Sequence, residues 1–342
     1  MNKETAILSP DRQELMHMIS ACWSTKVIGE GVRFGVFDQL AEGPKSASEI
    51  AAVAGVQTDG LHRVMRALAV LGLLQQTDER TFALTAIGQT LRRDHPDSLS
   101  GMAQHWSGRL WDGFTELGHV VETGEPSVES GPEHFAEMQN NDPVQSDIFN
   151  RAMAETTLKV GHVVAGAYDF SRFETAMDVG GGYGALLIGI LDAHPQLKGC
   201  VFDLEGLGEP GNRYRSELGK GDAIEFLPGS FFEAVPAKAD CLLLKYIIHD
   251  WGDEHSRTIL RNCREAIDEN GVVLLVERIV PDIVEPAAGT LSVIQGDLVM
   301  LRVGGKERTE SEYRTLLAES GLELTGIFPT DTEFSVIEAK RA

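Results

Sequence analysis

Apolar residues follow two different periods along this chain. Up to about residue 94 they recur at helical spacing, and from about Phe173 they gather into short runs separated by amphipathic stretches. In the first part Leu15, Met18, Ile19 and Cys22, continuing through Val27, Val32, Phe34 and Val36 to Leu40, predict one or two amphipathic helices. Ser46-Ala47-Ser48-Glu49 is a capping box that opens a short helix ended by Gly55. Thr58 is placed to cap the next helix, whose Leu61, Val64, Leu68 and Leu71 form one stripe before Gly72 stops it. Leu73-Leu74-Gln75-Gln76 and Thr81-Phe82-Ala83-Leu84, joined by a polar turn over 77–80, read as a two-stranded wing, so the region has a winged-helix pattern. Residues 106–121 and 135–165 read as connecting helices, with a loop rich in Gly, Pro, Ser and Glu over 122–132. Beyond them, apolar strands over 175–179, 199–204, 241–246 and 272–276 alternate with helices, which predicts a mostly parallel, doubly wound α/β sheet. The expected division is a helical winged-helix domain over 1–100, connecting helices over 101–165 and an α/β domain over 166–342.

A length of 342 residues suits two domains, each able to bury its own core. The formal charge of −22 argues against a nucleic-acid binder, because phosphate contacts need clustered Lys and Arg. His62, Arg63 and Arg66 on the second winged-helix helix are the residues a DNA-binding reading would use. The competing reading is a packing and dimerisation platform with those residues on a solvated face. Cys22, Cys200, Cys241 and Cys263 form no C-x-x-C pair and read as buried free thiols of a reducing compartment. The start Met1-Asn2-Lys3-Glu4-Thr5 has no apolar run after it, and no stretch approaches the length of a membrane span. The expectation is a cytoplasmic protein with no membrane partner.

The chemistry is concentrated in the second part. Met177-Asp178-Val179-Gly180-Gly181-Gly182-Tyr183-Gly184 places a glycine-rich turn between a strand and the helix-like run over 185–193, where a ligand can approach the backbone closely. The next strand ends at Asp203, 23 residues after Gly180, the spacing at which an acid meets ribose hydroxyls in doubly wound folds. A nicotinamide dinucleotide and S-adenosylmethionine both fit that spacing. The turn lacks the G-x-G-x-x-G series that cradles a pyrophosphate, since position 185 is alanine, and so favours S-adenosylmethionine. His249 follows the strand ending at Lys245, on the edge where open α/β sheets bind ligands, and a neutral imidazole there can take a proton. For an isolated histidine the plainer reading is a cap for the helix over 253–267 that follows. Glu277 ends a later strand and Glu307 lies in a polar turn; both can orient an imidazole, and Glu307 can also be an ordinary surface acid.

Taken together, Asp178 to Gly184, the strand ending at Asp203, Leu244-Lys245-Tyr246-Ile247-Ile248-His249-Asp250-Trp251, Glu277 and Gly305-Lys306-Glu307-Arg308-Thr309 resemble the caffeate-type (class II), metal-independent O-methyltransferases that use S-adenosylmethionine. The resemblance covers nearly the whole chain and points to a bacterial small-molecule member. It implies a Rossmann-like methyltransferase domain preceded by a winged-helix dimerisation domain, a homodimer, and a small hydroxylated aromatic substrate. It implies His249 as general base flanked by Glu277 and Glu307. It places Asp178, Gly180, Gly182, Asp203, Leu204, Ser230, Phe231 and Lys245 around the cofactor, and Phe149, Met153, Asp250, Trp251 and Met300 around the substrate. Through the dimer, Met18 or Trp23 of the second subunit would reach the rim of the active site. Two departures stand out: Ser230 replaces an acid common at the adenosine contact, and Glu205 a proline common after Asp-Leu. Relatives that bind the cofactor without transferring its methyl, acting as hydroxylases, decarboxylases or cyclases, define a second reading. A winged-helix ligand-sensing regulator is a third.

Overall fold

Ser46 opens its helix as the capping box predicts: its hydroxyl accepts the Glu49 N–H, and the Glu49 carboxylate accepts the Ser46 N–H. In the computed structural model, which describes residues 9–127, 131–237 and 239–342, the chain forms two compact units, Met1–Trp111 and Asp112–Ala342. Residues 1–5, read for a leader segment, and residues 128–130 of the expected loop lie outside the described ones.

In the first unit the strands β1 (Lys45–Ser46), β2 (Leu74–Asp78) and β3 (Thr81–Leu84) pair antiparallel in the order β1-β3-β2. Helices Ala47–Ala54 and Thr58–Val70 share with this sheet a core that includes Phe37, Ile50, Leu61, Met65, Leu68 and Phe82. Several local expectations are corrected. Thr58 is the first helical residue and Gln57 occupies the cap without a side-chain bond; Met65, not Val64, completes the buried stripe with Leu61 and Leu68. The wing turn is tighter, because β2 runs on to Asp78. His62 does not share a solvated face with the exposed Arg63 and Arg66, since its ring packs edge-on against Phe82 at 5.7 Å. Helix Pro10–Ser20 buries no residue, so Leu15, Met16, Met18 and Ile19 are all exposed. Cys22, at the start of helix Cys22–Arg33, is exposed as well; the other three cysteines are buried and all four are free.

The second unit is built on seven strands: β4 (Thr175–Val179), β5 (Lys198–Asp203), β6 (Ile224–Pro228), β7 (Cys241–Lys245), β8 (Val272–Arg278), β9 (Leu322–Pro329) and β10 (Phe334–Arg341). Their order is β6-β5-β4-β7-β8-β10-β9, parallel from β6 to β8, with β10 antiparallel to both its neighbours. Successive residues feed different cores: Met177, Leu242, Leu244 and Leu275 one face, Ala176, Leu243, Leu274 and Val276 the other. Burial on both faces explains why these strands read as continuous apolar runs. Glu338 is the exception inside β10. Burial opposes its charge, but donors from Thr325, Tyr168 and Arg172 hold the carboxyl down to about 2.

The connecting stretches are more divided than their sequence suggests. Residues 106–121 fall into the short pieces Trp106–Leu110, Trp111–Phe114 and Leu117–Thr123. The run over 135–165 is split by Pro143 into helices Pro132–Asn141 and Pro143–Ala167, with the Asp142 carboxylate capping Gln145 N–H at 3.1 Å. Among the described residues no helix is long and apolar enough to cross a membrane.

Candidate active site

The parallel strands end on one edge, and that edge collects the predicted residues. After β4 the chain turns through Gly180, Gly182 and Gly184, all at positive φ, into helix Ala185–Ala193. At Gly180 a Cβ would lie 2.5 Å from Ile247 Cδ1 and 3.1 Å from the Phe231 ring, so glycine is required for space as well as for conformation. Asp203, at the end of β5, accepts the N–H of Gly182 on one oxygen and that of Leu204 on the other, each at 2.7 Å. Asp178 is buried in β4. Burial, reinforced by the charge of Asp203, pushes it up to about 7, and burial pushes Asp203 up to about 6 against those two N–H bonds. Lys245, at the end of β7, donates to Thr157 Oγ1 at 2.8 Å, and burial lowers its ammonium to about 7.

Beyond β6, the Ser230 hydroxyl accepts the Phe232 N–H at 3.3 Å. Phe231 and Phe232 stand edge-on to Trp251, at 6.3 and 4.8 Å between ring centres. Trp251 also meets Phe135 at 6.5 Å, and Phe135 meets Phe149 at 5.9 Å, so an aromatic row joins the loop after β7 to helix Pro143–Ala167. Met153 is half-buried one helical turn beyond Phe149. Met300 stands apart on helix Ala288–Leu301 and is tied to the same region through its carbonyl, which accepts the Gly305 N–H at 3.1 Å.

The three proposed catalytic groups come together. His249 is buried, and its Nδ1 lies 3.0 Å from Glu307 Oε1. Glu277 Oε1 accepts the N–H groups of Ile247 and Ile248 at 3.1 and 3.0 Å, which anchors the segment carrying the histidine. His249 Nε2 lies 3.4 Å from Asp250 Oδ1. Burial would lower the imidazolium pKa, but the carboxylates of Glu277, Asp250 and Glu307 outweigh it and raise it to about 9. Burial in turn raises Glu277 to about 7 and Asp250 to about 6. Glu307→Gln, which keeps the shape and removes one charge, is expected to lower the His249 pKa, read from an NMR titration of the ring.

Two residues that sequence reasoning assigned no role hold this loop. Arg308 is fully buried and donates to the Ile248 and Trp251 carbonyls at 2.8 and 2.9 Å and to Asp253 at 2.8 Å, fastening the loop on both sides of His249. Gly305 lets the neighbouring segment approach, since a Cβ there would lie 2.2 Å from the His249 carbonyl oxygen, and Lys306 N–H donates to that same oxygen at 2.9 Å. Neither contact has a local sequence signal.

Residues 114–323 match the O-methyltransferase domain and residues 16–94 the O-methyltransferase dimerisation domain. The chain belongs to the O-methyltransferase family. It is 36% identical over 329 residues to the phenazine O-methyltransferase PhzM of Lysobacter antibioticus, covering 95% of each chain. The solved structure of LaPhzM superposes with a TM-score of 0.91 at 35% identity, over 97% of this chain and 100% of that one. The O-methyltransferase NcsB1 of neocarzinostatin biosynthesis was solved with S-adenosylmethionine and 2-hydroxy-5-methyl naphthoic acid; it gives a TM-score of 0.76 at 32% identity, over 93% of this chain and 96% of that one. The cofactor of this O-methyltransferase family is S-adenosylmethionine, and its chemistry is metal-independent. The residues present fit that cofactor: a glycine turn that admits no Cβ at Gly180, a carboxylate at the end of β5, and aromatic rings at Phe231 and Trp251. The ligand-type atoms of His249, Glu277 and Glu307 lie within 4.8 Å of one another, close enough for an ion. In this O-methyltransferase Glu277 Oε1 is held by the backbone and Glu307 Oε1 by His249 Nδ1, while the second oxygen of each carboxylate is buried without a hydrogen-bond partner.

Proposed function

We propose that this O-methyltransferase methylates a hydroxyl group of a small aromatic or polyketide-like natural product, with His249 as the general base. The observation that carries the reading is the buried imidazole fixed by Glu307 at Nδ1 and ringed by three carboxylates. When bound, S-adenosylmethionine would supply an electrophilic methyl carbon on a sulfonium, whose carbon–sulfur bond breaks so that the sulfur leaves as the neutral thioether of S-adenosylhomocysteine. The protein supplies orientation and a proton acceptor. With Nδ1–H donated to Glu307, the lone pair lies on Nε2, and Nε2 takes the hydroxyl proton as the oxygen forms its new bond to carbon. The imidazolium so formed is stabilised by Glu277, Glu307 and Asp250. Phe149 and Met153 on helix Pro143–Ala167 suit the two faces of a flat ring, and the named phenazine and naphthoate enzymes support a bicyclic or tricyclic acceptor.

The test is transfer of labelled methyl from S-adenosylmethionine to a panel of hydroxylated phenazines and naphthoates. Label recovered on an aromatic oxygen supports the reading. Firm cofactor binding with no transfer to any member of the panel overturns it.

The working unit we infer is a cytoplasmic homodimer. Helix Pro10–Ser20 leaves its whole apolar side open, with Met18 66% exposed, and Trp23 follows on the next helix. Apolar surface of that kind needs a partner, and it overlaps the match to the dimerisation domain. Sedimentation equilibrium at micromolar concentration is expected to give twice the 37.2 kDa of one chain. A mass of one chain overturns the dimer.

A further inference from the structure

Among the described residues, Tyr246 is the only non-glycine at positive φ, 57°. A bulky side chain rarely adopts this left-handed conformation, and it persists only where surrounding structure enforces it. The enforcing contacts are visible. The next two N–H groups, of Ile247 and Ile248, converge on the buried Glu277 carboxylate, so the backbone must reverse at residue 246 to present them. The reversal sends the tyrosine ring back over the residue three positions on. Its ring lies 4.4 Å from the His249 ring, with only 5° between the planes.

We propose that Tyr246 is a positioning residue for His249, its strained backbone aiming an aromatic face flat against the imidazole. The proposal rests on His249 acting as the base. The imidazole moves about two torsions, χ1 and χ2, and the single bond from Nδ1 to Glu307 does not fix both. A flat stack restrains the plane of the ring as well, and the two constraints together set the direction of Nε2. The tyrosine ring is itself wedged: Lys245 Nζ lies 3.7 Å from its centre, the Arg278 guanidinium carbon 4.9 Å, and the Phe334 ring 4.8 Å. Arg278 is held in turn by Glu333 at 3.2 Å and lies 3.6 Å from Glu307. Lys245, Arg278 and the imidazole thus all meet the Tyr246 ring, and an aromatic face against the imidazole favours its charged form. The charged groups facing His249 are Glu277 from β8, Glu307 from the turn before helix Glu310–Glu319, and its own neighbour Asp250. None of them constrains the plane of the ring as Tyr246 does.

Two variants of the full-length enzyme separate this role from mere filling of space. Tyr246→Phe keeps the ring and serves as the rescue control. Tyr246→Asn keeps a residue that tolerates the left-handed conformation and removes the ring; should it fail to fold, Tyr246→Gly adopts that conformation without strain and takes its place. With a hydroxyphenazine or hydroxynaphthoate acceptor, the Asn variant is expected to lose roughly tenfold or more in kcat, the scale of a misaimed catalytic group. Its KM for S-adenosylmethionine should stay within about threefold of the wild type and its melting temperature nearly unchanged, and the Phe variant should keep kcat within about threefold. Nitrogen NMR of His249 is the second readout and needs no acceptor: its titration should move downward in the Asn variant and stay put in the Phe variant. An Asn variant with wild-type kcat and titration overturns the proposal. So does a loss of kcat with the His249 titration unchanged, which would mark Tyr246 as a wall of the substrate site. If His249→Ala retains turnover, the base assignment fails, and the NMR comparison still decides whether Tyr246 governs the ring.

Discussion

Replacing His249 by alanine is expected to lower turnover by roughly 10²-fold or more, the range for loss of a general base. Binding of S-adenosylhomocysteine should stay within a few-fold of the wild type, because Gly180, Asp203 and Lys245, the residues expected to meet the cofactor, belong to other positions on the strand edge. Calorimetry and steady-state kinetics on the same variant separate the two effects. The pH profile carries the sharper signature. With His249 as the proposed base, the neutral imidazole is the form that reacts, and the surrounding carboxylates hold the proton on until about pH 9. The wild-type rate should therefore climb with rising pH and level off near that value. The variant should lose that limb, and Glu307→Gln should move it to lower pH, because one of the charges holding the proton has gone. Turnover of His249→Ala within a few-fold of the wild type would show that the substrate hydroxyl ionises unaided.

The parts of this site that could be read in the sequence are those fixed by local rules. A glycine turn followed by an acid at the end of the next strand is a spacing pattern, and it put Gly180, Gly182 and Asp203 on one edge of the sheet before any coordinates did. The partners that hold the histidine were not readable in this way. Arg308 reaches the carbonyls of Ile248 and Trp251 across about 60 residues of chain, and its neighbours in sequence give no sign of it. Glu307 had equal standing as a surface acid; only the fold, by bringing its turn against the loop after β7, made it a partner of His249. Tyr246 lay inside the quoted motif without a role, because backbone strain leaves no trace in residue type when the residue is not glycine.

The fold divides in the same way. Strands buried on both faces announce themselves as apolar runs, and β4, β5, β7 and β8 appear where those runs lie. The antiparallel end of the sheet, β10 and β9, has no such signature in the sequence. β9 shows no continuous apolar run, and β10 carries Glu338, whose charge is tolerated only because Thr325, Tyr168 and Arg172 converge on it from elsewhere. In the first unit the capping box was decisive at Ser46, whereas Thr58 misled, since a threonine can serve as cap or as first helical residue and only the backbone distinguishes them. The exposed apolar side of helix Pro10–Ser20 was legible as surplus, because no single helical face uses so many large side chains.

Asp203 carries the second large effect. Each of its oxygens accepts one backbone N–H, from Gly182 in the glycine turn and from Leu204 at the start of the next segment, so the carboxylate shapes the turn and, in the proposed role, has lone pairs left to accept ribose hydroxyls. Asp203→Ala removes both functions. It is expected to weaken S-adenosylhomocysteine binding by about 1.5 to 3 kcal/mol, the worth of hydrogen bonds to a charged group, which is roughly a 10- to 150-fold rise in Kd. Asp203→Asn retains one acceptor oxygen, and its loss should be smaller. Burial raises the Asp203 carboxyl to about 6, above its ordinary range, so protonation sets in at mild acidity. As pH falls through that value the wild type loses the charged acceptor, and its affinity should decline toward that of the Ala variant, which has no carboxylate at this position to titrate. Isothermal calorimetry from pH 5 to 8 on the three proteins measures this convergence. An Ala variant that binds as tightly as the wild type at pH 8 would remove Asp203 from the cofactor site and leave it a residue of the turn alone.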